Sequence, residues 1–150
     1  MNEPNETPVP VGLVTVRGGR AGFAQEILIG AHSLTADEPI TAGGTDAGPT
    51  PYDLLLAALG ACTSMTLRVY ADRKKWPLEE VTVRLRHTNV HAVDCAECET
   101  TVAKIDRIDC EIELVGPLSD EQRARLLEIA PRCPVHMTLG SEIKMETTLW

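Results

Sequence analysis

The chain has 150 residues, 14 basic and 22 acidic side chains, and a formal net charge of −8. That charge excludes nucleic acid and anionic membranes as natural partners, and one Phe with two Tyr and two Trp leaves no base-stacking surface. Five cysteines, an odd number, follow an N-terminus that lacks the basic and apolar parts of a signal peptide, which predicts a cytoplasmic protein with redox or metal chemistry rather than structural disulfides.

Residues 1–10 hold three prolines and no periodicity, and are predicted to be a disordered tail before a single domain over 11–150. Val11–Val16 is rich in valine and reads as a strand. Gly18-Gly-Arg20-Ala-Gly22 reads as a turn, and Phe23–Ile29 and Ser33–Asp37 read as short strands. Thr41–Pro49 is a glycine-dense loop. A long helix then opens at Thr50-Pro51-Tyr52-Asp53, with Thr50 as N-cap, Pro51 at the first helical position and Asp53 completing a capping box. Asp72-Arg-Lys-Lys75 suits its C-terminal end and Trp76-Pro77 stops it, giving a length of about 36 Å at 1.5 Å per residue. No uninterrupted apolar run reaches the length of a membrane span.

Val81, Val83 and Leu85 alternate with polar residues and predict a half-buried strand. His87–Thr101 is polar and reads as irregular. Ile105–Val115 alternates again, with Ile108, Cys110, Ile112 and Leu114 facing inward. Ser119-Asp-Glu-Gln122 is a second capping box, and its helix runs to about Ala130 before Pro131. Pro134–Leu139 predicts one more helical turn. Ile143, Met145, Thr147 and Leu149 predict a closing strand.

The long helix is apolar on all sides, which predicts burial all round and a second subunit to provide the cover. Cys62 sits in its middle. Small neighbours Gly60, Ala61, Thr63 and Ser64 leave room at the sulfur, and Leu55, Ala58, Leu59 and Met65 are its helical neighbours, a wall for an apolar substrate. The alternative is a small core residue. Cys133 directly precedes Pro134, as an N-cap precedes a proline, and unpaired N–H groups at a helix start lower a thiol's pKa. His136 follows three residues later. A buried thiol needs something to offset its desolvation, and no Lys, Arg or His lies within four residues of Cys62.

Gly48-Pro-Thr-Pro-Tyr-Asp-Leu-Leu-Leu-Ala-Ala-Leu-Gly-Ala-Cys62-Thr-Ser-Met65, followed about 70 residues later by Arg132-Cys133-Pro-Val-His136, closely resembles the OsmC/Ohr family of thiol-dependent peroxidases. The resemblance runs from about Val11 to the C-terminus. It implies an α+β intertwined homodimer, with two antiparallel sheets wrapped around central helices and active sites at the subunit interface. It implies that Cys62 is the peroxidatic and Cys133 the resolving cysteine. An arginine from a Gly-Gly-Arg-like loop holds the thiolate in that family, which here matches Arg20, with Arg17 as the fallback. The well-studied branch has a glutamate ten residues before the peroxidatic cysteine; Tyr52 stands there in this chain. Asp53, the nearest carboxylate, lies about 180° round an ideal helix from Cys62, so capping is its role.

The expected activity is reduction of organic hydroperoxides in an oxidative stress response, with Tyr52, Leu55, Leu59, Met65 and His136 at the substrate, a dithiol reductant, and no bound cofactor. The alternative from another class is a non-catalytic module that senses thiol-reactive or lipid-like ligands or binds zinc. Zinc is suggested by His91-Ala-Val-Asp-Cys95-Ala-Glu-Cys98, where His91, Cys95 and Cys98 have ligand-type spacing, and His87 is a further candidate. Cys110, on an apolar strand face, reads as inert core.

Overall fold

In a computed structural model, which describes residues 12–91 and 104–150, the first valine-rich stretch becomes β1 (Val14–Gly18). It pairs antiparallel with β2 (Gln25–Ile29), which pairs with β3 (His32–Ala36) in a three-stranded sheet. Ile29 is opposite His32, so only Gly30-Ala31 turn the chain; Gly30 has φ +58°, a conformation that a residue with Cβ seldom adopts. After β3 the chain folds on Asp37, which is almost fully buried. Its carboxylate accepts hydrogen bonds from the Thr45 hydroxyl (2.6 Å) and from the N–H groups of Glu38, Thr45 and Ala47. Led by the Thr45 hydroxyl, these bonds lower its pKa to about 2. One carboxylate thus ties the loop that delivers the chain to the long helix.

That helix is α1 (Pro51–Lys74). The predicted capping box is formed: the Asp53 N–H donates to Thr50 Oγ1, and the Thr50 N–H and hydroxyl donate to Asp53 Oδ2 at 2.9 and 2.8 Å. These bonds lower the Asp53 pKa. At the other end Lys75 adopts φ +56°, its N–H reaches Asp72 O and the Trp76 N–H reaches Ala71 O, so the helix is closed by a Schellman motif one residue before the predicted stop. Contacts divide the chain into a unit ending at Leu54 and a unit beginning at Leu55.

In the second unit, β4 (Glu80–His91) and β5 (Lys104–Val115) form an antiparallel hairpin. β4 runs past His87, contrary to the expectation of irregular chain from that point. The reason is a polar cross-strand network: His87 Nε2 and Asn89 Nδ2 both lie 2.7 Å from Asp106 Oδ1, replacing the apolar pairs that a period-two reading looks for. The tail 1–10, Cys95 and Cys98 lie outside the described residues.

α2 (Asp120–Ile129) starts with the predicted box, in which Gln122 N–H donates to Ser119 Oγ and the Gln122 side chain accepts from the Ser119 N–H. A short 3-10 turn, Ala130–Arg132, leads to α3 (Pro134–Leu139). Leu67, Ala71, Leu78, Leu118, Leu126, Ile129 and Ala130 form the core, with Tyr70, Trp76, Val81, Ile112 and Leu114 around it. Gly60 lets the hairpin approach: a Cβ there would meet Leu85 Cδ1 at 2.8 Å.

Within this single chain α1 buries Leu59, Gly60, Thr63, Leu67 and Ala71. Two expectations are corrected. By length and composition α1 is also apolar enough to cross a membrane, since hydroxyl and small residues extend the apolar run Leu54–Leu59. The predicted closing strand is absent: residues 142–150 have no regular structure, and Met145 and Leu149 are exposed. Alternation by itself does not make a strand; the backbone must also pair with a neighbouring one.

Candidate active site

The site begins at the start of α3. Pro134 occupies the first helical position and has no N–H to offer. The next two free N–H groups both point at sulfur: Val135 N lies 3.5 Å from Cys62 Sγ, and His136 N lies 3.3 Å from Cys133 Sγ. Cys133 is the N-cap of α3, as its place before proline predicted. One helix end therefore serves two thiols that are 71 positions apart in the sequence, and both are free cysteines.

Their surroundings differ. Cys62 is half-buried and Cys133 is fully buried. Thr63, next to Cys62 and itself buried, has its hydroxyl 2.9 Å from Leu59 O and 3.5 Å from Cys133 Sγ, so its one hydrogen has two acceptors in reach. Burial pushes the Cys133 thiol up. Hydrogen bonds from the Thr63 hydroxyl, the His136 N–H, the Cys62 thiol and the Val135 N–H outweigh that and hold its pKa below the ordinary value. Backbone N–H groups at the start of α3 and the Thr63 hydroxyl thus stabilise the Cys133 thiolate.

Cys62 opens on a cavity of about 530 Å³. Ala58, Ala61, Met65 and Val69 line it from α1, and Tyr70, Ile129 and Pro134 close it. Of the predicted substrate residues, Met65 is at this cavity. Leu59 and His136 line two others with Cys110, and Leu55 and Tyr52 are exposed. Leu59 at i−3 and Met65 at i+3 lie on opposite sides of Cys62, about 120° apart round the helix, and packing decides which of those sides is covered. The 58-62-65-69 spacing carried a signal for this wall; nothing local marked Ile129, Tyr70 or the Val135 N–H.

Arg20 is exposed in the turn after β1, and Arg17 forms an ion pair with Glu26 at 3.7 Å; both belong to the unit ending at Leu54. Cys110 is exposed rather than core, whereas Ile112 and Leu114 on the same strand pack against the core. Its pKa is raised, first by burial of its sulfur and then by the nearby Cys133. Among the described residues no group of three or more His, Cys, Asp or Glu is arranged to hold a metal. His91, Cys95 and Cys98 are not tested by that statement, since both cysteines lie outside those residues.

These features define an α+β protein with a two-thiol centre at a helix start. The family of OsmC-like proteins matches residues 44–148, and the chain belongs to it. Solved structures share the fold. An OsmC-like protein from Mycoplasma pneumoniae is 19% identical, with a TM-score of 0.65 over 85% of each chain. An organic hydroperoxide resistance protein from Legionella pneumophila is 23% identical, with a TM-score of 0.61 over 85% of this chain and 87% of that one. The organic hydroperoxide resistance protein OhrB of Bacillus subtilis is 21% identical, with a TM-score of 0.57 over 84% and 87%. No match was found among curated proteins.

Proposed function

We propose that this protein is a cytoplasmic, homodimeric thiol peroxidase for organic hydroperoxides. The observation that carries the reading is the sharing of one helix end by an accessible and a buried sulfur. Attack on a peroxide requires access, so the half-buried Cys62 on the apolar cavity is the peroxidatic cysteine. Its thiolate takes the terminal peroxide oxygen, the O–O bond breaks, and the alkoxide leaves as the alcohol after protonation. Cys62 is then a sulfenic acid. The fully buried Cys133, whose pKa is held down, attacks that sulfur, expels water and forms a disulfide. A dithiol reductant resets the pair. No bound cofactor enters the reaction, and neither nucleic acid nor a membrane is a partner.

The low polarity of the Cys62 cavity favours alkyl hydroperoxides over hydrogen peroxide. The names of the solved relatives from Legionella pneumophila and Bacillus subtilis, as organic hydroperoxide resistance proteins, agree with that substrate class. In this reading Arg20 joins the Cys62 thiolate, with Arg17 as its substitute. Exposed Met65 and Val69 on α1 are apolar surface that a second copy covers. The cavity equally fits a second reading, a non-catalytic module for lipid-like ligands.

Peroxide consumption by the purified protein with a dithiol separates the two. Cys62→Ser is expected to abolish it. Cys133→Ser is expected to complete one turnover and then drive Cys62 towards sulfinic acid, read by mass spectrometry. Unchanged turnover in Cys62→Ser refutes the peroxidase reading.

A further inference from the structure

A third thiol adjoins the pair by a different route. Cys110 lies on β5 opposite Leu85 and is exposed. It lines a cavity of about 110 Å³ together with Thr63, Ala130, Pro131 and His136. Thr63 and His136 are the two residues that hold Cys133 Sγ, through the hydroxyl at 3.5 Å and the N–H at 3.3 Å. Ala130 and Pro131 belong to the turn that leads into Cys133. Part of the wall of this cavity is therefore made by residues that adjoin Cys133. Cys62 instead lines the larger cavity with Met65 and Val69. Cys133 also contributes, after burial, to the raised pKa of Cys110.

We propose that Cys110 carries the disulfide out of the active site by thiol–disulfide exchange with Cys133. The inference rests on the peroxidase reading for its starting Cys62–Cys133 disulfide. The Cys110 thiol gives its proton to solvent and its thiolate attacks Cys133 Sγ. A Cys110–Cys133 bond forms, the Cys62–Cys133 bond breaks, and its electron pair leaves on Cys62. One disulfide replaces another, so no further oxidant enters. The leaving Cys62 thiolate stays beside the Val135 N–H, which favours its departure. Cys62 is then free in the substrate cavity, while the bond to be reduced includes Cys110, an exposed residue. A dithiol protein reaches that residue without entering the substrate cavity.

The test has two arms on the full-length chain. In the first, wild-type protein receives one equivalent of cumene hydroperoxide, is alkylated at intervals, and is mapped by non-reducing peptide mass spectrometry. The Cys62–Cys133 bridge is expected first, and the Cys110–Cys133 bridge is expected to grow from it while Cys62 becomes alkylatable. Below the Cys110 pKa the exchange rate should rise about tenfold per pH unit, as the thiolate fraction does. Cys110→Ser should hold the bridge at Cys62–Cys133. In the second arm Cys62→Ser is oxidised with diamide, which needs no peroxide chemistry, and Cys110–Cys133 should form. That bridge in the second arm with no cysteine oxidised in the first sinks the peroxidase reading and supports the contact between the two thiols. A bridge that stays at Cys62–Cys133 in wild type, or a Cys133 that pairs with Cys95 or Cys98 or with nothing in the second arm, overturns the relay.

Discussion

The two long faces of α1 have similar apolar content and different surroundings. Leu59, Thr63, Leu67 and Ala71 are buried within the unit that begins at Leu55, with Leu67 and Ala71 in its core. Ala58, Met65 and Val69 are exposed and line the cavity at Cys62. Cys62 stands at the seam, half-buried, and Thr63 beside it turns inward to Cys133. A helix without a polar face therefore does two things at once. One face holds the fold together, and the other stays open within this chain.

The sharpest way to break this comparison is to truncate one residue on each side. Leu67→Ala should cost about 2–5 kcal/mol of stability in urea or guanidinium unfolding, because Leu67 is fully buried in the core. Met65→Ala should cost under about 1 kcal/mol in the same measurement, as an exposed side chain does. Equal losses would mean that the two faces are not distinct.

The next effect is on association. Val69→Lys on the exposed face should shift the protein towards monomer in analytical ultracentrifugation at micromolar concentration while the circular dichroism spectrum is kept. A wild-type protein that is a stable monomer would remove the role assigned to this face.

Thr63 tests the seam. Thr63→Val removes a donor to Cys133 and keeps the shape, so the Cys133 pKa should rise towards the ordinary thiol value, and Thr63→Ser should restore it. Thiolate absorbance at 240 nm between pH 5 and 10 measures this. The sign for stability follows from the lowered pKa. The thiolate stabilises the native state above the unfolded value of 9.0, and that contribution is lost as pH falls through the native pKa. In Thr63→Val the gain at alkaline pH should therefore be smaller.

The smallest expected effect is at Arg20. Arg20→Ala should slow iodoacetamide alkylation of Cys62 at pH 7 without unfolding the protein. A wild-type rate from pH 6 to 9 would leave the Val135 N–H, or Arg17, as the group that activates Cys62.

Much of this architecture was legible along the chain. Thr50, Pro51 and Asp53 set the start of α1, Ser119 and Gln122 set that of α2, and Cys133-Pro134 marked a capped helix with its thiol at the N-terminus. Each is a contact between residues at most three positions apart, so the local chain contains both partners. Cys62 and Cys133 were singled out by their different local settings, mid-helix and N-cap, and by resemblance to the family. Polarity hid the far half of β4, because the partner that makes His87 and Asn89 good strand residues is Asp106 on the other strand. Alternation overstated Ile143–Leu149, which pairs with no strand among the described residues, and Cys110, which is exposed on its strand. Only tertiary packing decided that Val135 meets Cys62, that Thr63 turns to Cys133, and that one side of α1 stays open. These depend on distances between segments about 70 residues apart. Such distances are set by how side chains fill the space between α1, α2 and the β4–β5 hairpin, which the pattern of any one segment does not contain.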